Sequence, residues 1–307
     1  MKLSIVTTLY RSEQYINEFC SKVHFAARQI PCTDYEVILV DDGSPDNSLN
    51  YALQLQINDS RLVVVELSRN FGHHKAILTG LSFASGDLIF LIDSDLEEDP
   101  LWLPDFYSLM KSSRSDVVYG VQVERKGSFF ERMSGRIYYK LFAFLTGFNQ
   151  PKNLVTARLM SRAYVSSLLK FNESEFVISC LFALTGFRQQ PFPVCKQSSS
   201  PTTYSFFLKV SNAITSVVSV STVPLQLIFY VGIIILLISF CFIFWALFSA
   251  LFLGAVVSGW TSVFVSLWFF GGLMILFLGI IGIYISKVFW ESKRRPISIV
   301  KSIHCSE

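Results

Sequence analysis

The chain has 307 residues, 51% of them hydrophobic, with a formal net charge of +3. That length allows one large domain or two smaller ones, and the charge is too small to argue for nucleic acid as a partner. Charge is unevenly spread: from Val210 to Ser286 there is no Asp, Glu, Lys or Arg, whereas residues 1–209 have an ordinary soluble mixture.

The first stretch, Leu3–Thr8, reads as a strand and is followed by Tyr10-Arg11-Ser12-Glu13, a pattern unlike a signal peptide. From Ser12 to about Gln29 the apolar residues recur at helical spacing and stop before Pro31. Tyr35–Val40 is a second strand ending in Asp41-Asp42-Gly43-Ser44, and a helix follows from Pro45 to about Leu55. Leu62–Leu67 is a third strand, Arg69-Asn70-Phe71-Gly72 a turn, and His73–Ala84 a helix. The fourth strand, beginning at Leu88, runs as Leu-Ile-Phe-Leu-Ile into Asp93-Ser94-Asp95. Repeated strand–helix units with short connections predict a Rossmann-like, mostly parallel sheet covered on both faces. In such sheets ligands bind at the carboxyl ends of the strands, where Asp41, Asp42, Asp93 and Asp95 all fall. A lone Asp-x-Asp is most often a solvated turn. At the end of a buried strand the two carboxylates call for a positive group, which a hard divalent cation bound to a diphosphate would supply. If the extended form persists, both side chains point to the same side.

His73-His74-Lys75 opens a helix, where Lys75 is as much a candidate for phosphate contact as a solvated residue, and the histidines are read as solvated. Asp116–Val121 is a fifth strand, after which cations and rings alternate through Arg125, Lys126, Arg132, Arg136 and Tyr138, as suits a membrane surface and a lipid phosphate. Two uncharged stretches, about 225–251 and about 261–286, are each long enough to span a bilayer. Lys209 precedes them and Lys287, Lys293, Arg294, Arg295 and Lys301 follow, so the positive-inside bias puts both termini in the cytoplasm. The six cysteines form no ligand-like spacing and read as free thiols in a reducing compartment.

The segments Ile5–Tyr10, Val40-Asp41-Asp42-Gly43-Ser44, Asn70-Phe71-Gly72-His73, Ala84-Ser85-Gly86-Asp87 and Ile92-Asp93-Ser94-Asp95-Leu96 resemble, in order and spacing, the GT-A family 2 glycosyltransferases. More narrowly, the chain resembles the polyprenyl-phosphate type, the bacterial undecaprenyl-phosphate glucosyltransferases and dolichol-phosphate mannose synthases. The resemblance covers nearly the whole chain and implies four parts. They are a GT-A domain over 1–205, a juxtamembrane amphipathic region over 206–224, two transmembrane helices within 225–286, and a basic cytoplasmic tail over 287–307.

It also implies an activity: inverting, metal-dependent transfer of a hexose from a nucleotide sugar, above all a UDP-hexose, to undecaprenyl phosphate. This would occur at the cytoplasmic face of a bacterial inner membrane and serve surface glycans such as lipopolysaccharide. By resemblance Asp42 or Asp41 would bind the base, with Thr8, Tyr10, Glu13, Lys75 and Ser94 around the nucleotide sugar. Asp93, Asp95 and Glu97 would hold Mg2+ or Mn2+. Arg125, Arg132, Ser134 and Arg136 would meet the acceptor phosphate, Arg125 also counting with Asp93 and Asp95 as catalytic. Tetramers occur in the family, so an oligomer is expected.

Three departures stand out. Glu97 replaces the family's Gln. Thr156 replaces an acidic residue often assigned as base or sugar ligand. The family's basic Arg-x-x-Gly-x-Ser-Lys-Tyr reads here Gln197-Ser198-Ser199-Ser200-Pro201-Thr202-Thr203-Tyr204, and only Thr202, Tyr204 and nearby Lys196 keep its character. The change at Thr156 fits a lipid-phosphate acceptor and speaks against transfer to a hydroxyl of a lipid-linked glycan, which stays an alternative. The altered Gln197–Thr203 stretch leaves a non-catalytic nucleotide-sugar binder as another, against which the retained Asp93 and Asp95 argue. A processive synthase is disfavoured because no Gln-x-x-Arg-Trp motif is present.

Overall fold

The computed structural model describes residues 1–123, 140, 142–145, 153–171, 173, 176–196, 217–218, 221–248 and 259–305. The described residues fall into two units: 1–139, 149–204 and 295–307 in the first, 140–148 and 205–294 in the second.

The first unit is built on a sheet of β1 (Lys2–Leu9), β2 (Asp34–Asp41), β3 (Leu62–Leu67), β4 (Leu88–Leu91), β5 (Val117–Gln122), β6 (Leu154–Ser161), β7 (Gln189–Val194) and β8 (Val300–His304). Their order across it is β7-β5-β6-β4-β1-β2-β3-β8. The strands β4, β1, β2 and β3 are mutually parallel, as the strand–helix repeat predicts. Alternation divides their side chains between two cores. Leu3, Ile5, Val37, Leu39 and Phe90 face α1 (Ile16–Arg28), α2 (Ser48–Asn58) and α4 (Leu103–Ser113). Val6, Ile38, Val40, Ile89 and Leu91 face α3 (His73–Phe83), α5 (Arg162–Leu168) and α6 (Ile178–Leu184). Because both faces are covered, each of these strands carries apolar residues at consecutive positions, such as Val37–Val40 and Leu88–Leu91. Full burial of each Leu, Ile or Val side chain contributes roughly 1.5–3 kcal/mol.

Three elements differ from the sequence expectation. First, α1 begins at Ile16, because Ser12 is drawn into a turn: its Oγ accepts from the Tyr10 amide, and its own amide donates to Ser48 Oγ at 2.9 Å. Second, β4 ends at Leu91, so Asp93 and Asp95 are placed by a turn rather than by strand alternation. Third, β6 is inserted antiparallel between β4 and β5. Its central Arg158 hides it from a hydrophobic pattern. The guanidinium is almost fully buried, donates to the carbonyls of Thr156 and Val155, and lies 3.5 Å from the centroid of the Phe182 ring. Burial pulls its pKa down to about 10.

Residues 287–307 are not simply a tail. The long helix α8 (Trp260–Ser292) continues to Ser292, and β8 then pairs antiparallel with β3. Lys301 Nζ and Ser302 Oγ reach the two oxygens of Glu66 at 2.5 and 2.6 Å, and Thr79 Oγ1 meets Ser298 Oγ at 2.6 Å. The Lys301 and Ser302 contacts hold the Glu66 carboxyl below its ordinary value of 4.5. Its contribution is therefore complete above that value and is lost as the pH falls through the folded-state pKa. Glu66→Gln is expected to speed amide exchange across Val300–His304 at pH 7. The wild-type protein should approach the variant on acidification below about 4.5. Equal exchange in the two proteins at pH 7 would show that the pair does not hold the strand.

In the second unit, α7 (Val223–Phe248) and α8 are apolar around their circumference. Phe229, Trp245, Leu267 and Ile275 are all more than half exposed. The 24 residues Phe269–Ser292 are long and apolar enough to cross a membrane, and α7 offers a shorter apolar stretch, Val223–Ile235. The link between the helices and most of the juxtamembrane region lie outside the described residues.

Candidate active site

The carboxyl ends of β1, β2 and β4 converge, and the residues there divide into those that hold loops and those with capacity to spare. Asp42 belongs to the first kind. Its two oxygens accept from the amides of Phe71 at 2.7 Å and Gly72 at 3.0 Å, pinning the turn that starts α3. Gly43 makes this approach possible: its φ is +64°, and a Cβ there would stand 2.6 Å from the Asn70 amide nitrogen. Asp41, equally buried, accepts from the Ser44 amide through Oδ2, and its Oδ1 has no partner among the described residues. Burial pushes both carboxyls up. Of the adjacent pair, Asp41 is the one with an acceptor left over.

Ser94 is also a fastener. Its buried hydroxyl donates to the Thr8 carbonyl at 2.9 Å and lies 3.0 Å from Ser12 Oγ, tying the turn after β4 to the loop after β1. Glu13 Oε2 accepts from the Asn47 amide at 3.2 Å while its own amide donates to Asp46. Glu13 and Asp46 line a polar depression of about 520 Å³ with Arg11, Gln14, Asn17 and Tyr51. Tyr10 is 46% exposed, with the Arg11 guanidinium 5.6 Å from its ring centroid.

Asp93 and Asp95 sit together beside α3. Thr8 Oγ1 is 3.1 Å from His73 Nδ1, and His73 Nε2 is 3.5 Å from Asp93 Oδ1. Sequence alone reads His73 as solvated; its place after Gly72 at the start of α3 is the signal that points to the site. Lys75 shares with Phe71, His73, His74 and Phe176 a depression of about 370 Å³ at the start of α3. Asp95 Oδ1 accepts from the Glu97 amide at 3.0 Å, closing a turn in which Leu96 takes φ +60°. Burial, reinforced by the charge of Asp93, pushes the Asp95 carboxyl up. That is the strain a bound cation would relieve.

Glu98, unremarked in the sequence, is fully buried and accepts from the amides of Thr156 at 2.9 Å and Ala157 at 2.8 Å. Burial and Asp93 push its carboxyl up. Glu97 is paired with Lys196, its Oε2 3.0 Å from the ammonium nitrogen. Among the described residues no group of three His, Cys, Asp or Glu side chains is arranged to hold a metal ion. Asp93 and Asp95 alone offer a pair of hard carboxylate donors, a set that suits Mg2+ or Mn2+ when phosphate oxygens and water complete the shell. Arg125, Arg132, Ser134 and Arg136, and the stretch Gln197–Thr203, lie outside the described residues.

Residues 4–169 match the family model described as Glycosyl transferase family 2. The whole chain is 45% identical to a Mycobacterium tuberculosis protein described as "Putative glycosyltransferases", covering 90% of it. It is 27% identical, over 98% of its length and 99% of the relative's, to the bactoprenol glucosyl transferase of Shigella phage SfV. Among solved structures it is similar to mannosyl-3-phosphoglycerate synthase from Rubrobacter xylanophilus, at 16% identity, TM-score 0.48, and coverage of 76% of this chain and 75% of that one. The chain therefore belongs to glycosyl transferase family 2, with the α/β fold of the GT-A type.

Proposed function

We propose that the protein transfers a hexose from a nucleotide sugar, most simply a UDP-hexose, to undecaprenyl phosphate, inverting the anomeric centre. The observation that carries this reading is the similarity to a bactoprenol glucosyl transferase, which runs on through the apolar helices and β8. In the reaction the lipid phosphate oxygen attacks the anomeric carbon, and the bond to the nucleoside diphosphate breaks. Asp93 and Asp95 would hold Mg2+ or Mn2+, which supplies Lewis-acid stabilisation of the departing diphosphate. Asp41, whose Oδ1 is a spare buried acceptor, would take an N–H of the base. Thr8 meets His73, and His73 in turn faces Asp93. Lys75 and Glu13 border the two depressions and, with the exposed Tyr10, would meet the donor. Arg125, Arg132, Ser134 and Arg136 are assigned to the acceptor phosphate through charge-assisted hydrogen bonds.

No carboxylate is needed at Thr156. A phosphate monoester is largely dianionic near pH 7, its second pKa being about 6, so the nucleophile arrives already deprotonated. Rate enhancement then comes from alignment and charge stabilisation. The stretches around α7 and α8 would both span the bacterial inner membrane. The uncharged link and the cations Lys287, Lys293, Arg294 and Arg295 favour cytoplasmic termini. The site would thereby stay within reach of a lipid headgroup.

The test is a transfer assay in membranes or detergent with undecaprenyl phosphate, a panel of UDP-, GDP- and dTDP-sugars, and Mg2+ or Mn2+. A new glycosyl-phosphoryl lipid is expected with a UDP-hexose. Extension of a lipid-linked oligosaccharide, with no such lipid formed from any donor, would replace this acceptor by a sugar hydroxyl.

A further inference from the structure

Asp93, Asp95, Glu97 and Glu98 crowd one turn, yet they are not equivalent. Glu98 is committed to the fold, both oxygens taken by the backbone of β6. Asp95 uses one oxygen to close the turn, and Asp93 faces His73. Glu97 is held by a cation. Its Oε2 lies 3.0 Å from the ammonium of Lys196, the two side chains being only 16% and 24% exposed. The same ammonium stands 3.8 Å from Glu98 Oε1. Although burial opposes a charge on Lys196, the carboxylates of Glu98, Glu97 and Asp95 outweigh it and raise its pKa. The lysine is therefore a fixed positive charge, directed from the end of β7 toward the turn.

Building on Asp93 and Asp95 as the cation-holding pair, we propose that Lys196 is a positioning residue that withholds Glu97 from the cation. The cation then binds weakly alone and firmly only together with the donor's diphosphate. The physical ground is charge count. A third carboxylate would raise affinity for the bare cation and repel the incoming diphosphate, whereas an ammonium in the same place does the reverse. The Glu97–Lys196 pair is neutral as a unit, as is the Gln that the resembling family carries at position 97.

The test measures Mn2+ binding to the purified full-length protein in detergent by electron paramagnetic resonance, with and without UDP. Wild type is expected to bind Mn2+ more tightly with UDP than without. Lys196→Met should bind Mn2+ alone about tenfold more tightly, because Glu97 is released as a ligand. Adding Glu97→Gln should remove that gain, and Lys196→Arg should keep wild-type behaviour. A loosened turn would instead weaken Mn2+ binding in Lys196→Met, and that result, or a gain that survives Glu97→Gln, overturns the proposal. Glu97→Gln alone gives a check that does not depend on the lysine variant folding: Mn2+ binding should stay within about twofold, since Glu97 is not a ligand. A manyfold loss there would make Glu97 a ligand and end the proposal. Wild type that binds no Mn2+ even with UDP would remove the cation reading itself, and this proposal with it. Wild-type Mn2+ binding alongside an unchanged Lys196→Met would remove this proposal alone.

Discussion

Asp95→Asn should abolish formation of the lipid product, with kcat falling by about a thousandfold or more. The substitution is chosen because the fold tolerates it. The side-chain oxygen that accepts from the Glu97 amide is retained in Asn, so the turn after β4 keeps its closing hydrogen bond. What disappears is one negative charge beside Asp93 and one hard oxygen donor. Loss of activity with an unchanged unfolding midpoint would therefore locate the effect in chemistry. The measurement is turnover of radiolabelled UDP-glucose into the lipid fraction, alongside a thermal melt. Activity within threefold of wild type would mean that Asp95 does not support the departing diphosphate. Asp93→Asn should be as damaging and should in addition weaken the contact with His73.

The second large effect is on stability. Glu98→Ala removes a fully buried carboxylate and orphans the amides of Thr156 and Ala157. Each unsatisfied amide costs about 1–3 kcal/mol, so the two together cost about 2–6 kcal/mol. For a domain of this size the melting temperature should fall by roughly 10 °C. Glu98→Gln should rescue little. Its amide nitrogen would face one of the two backbone N–H groups, donor against donor. A melt within about 2 °C of wild type for Glu98→Ala would show that water replaces the carboxylate at no cost.

How much of this was legible beforehand depended on how each residue is used. The strands β1 to β4 are buried on both faces, so their apolar runs announce them, and the acids at their ends mark the site. By contrast, β6 carries a buried arginine whose partners are backbone carbonyls and a ring from elsewhere, which no local pattern encodes. The mixed sequence of β8, Val-Lys-Ser-Ile-His, suits an edge strand with one face in solvent and resembles a loop. Asp41 and Asp42 are adjacent and chemically identical. Only the approach of the Phe71 and Gly72 amides separates the loop-holding residue from the one with a free acceptor. Glu98 sits in an acidic run that would ordinarily be solvated, and its burial is decided by β6, more than fifty residues away.

The pairing of β8 with β3 also sets an order of events during synthesis. The strands from β1 to β7 leave the ribosome before α7 and α8, and the strand that covers β3 emerges only after both helices. Until then β3 presents an open row of amides and carbonyls, the kind of edge that recruits foreign strands. The catalytic unit is thus completed only once its hydrophobic helices have been delivered. A version cut after residue 204 would expose that edge permanently and should aggregate, whatever its active-site residues.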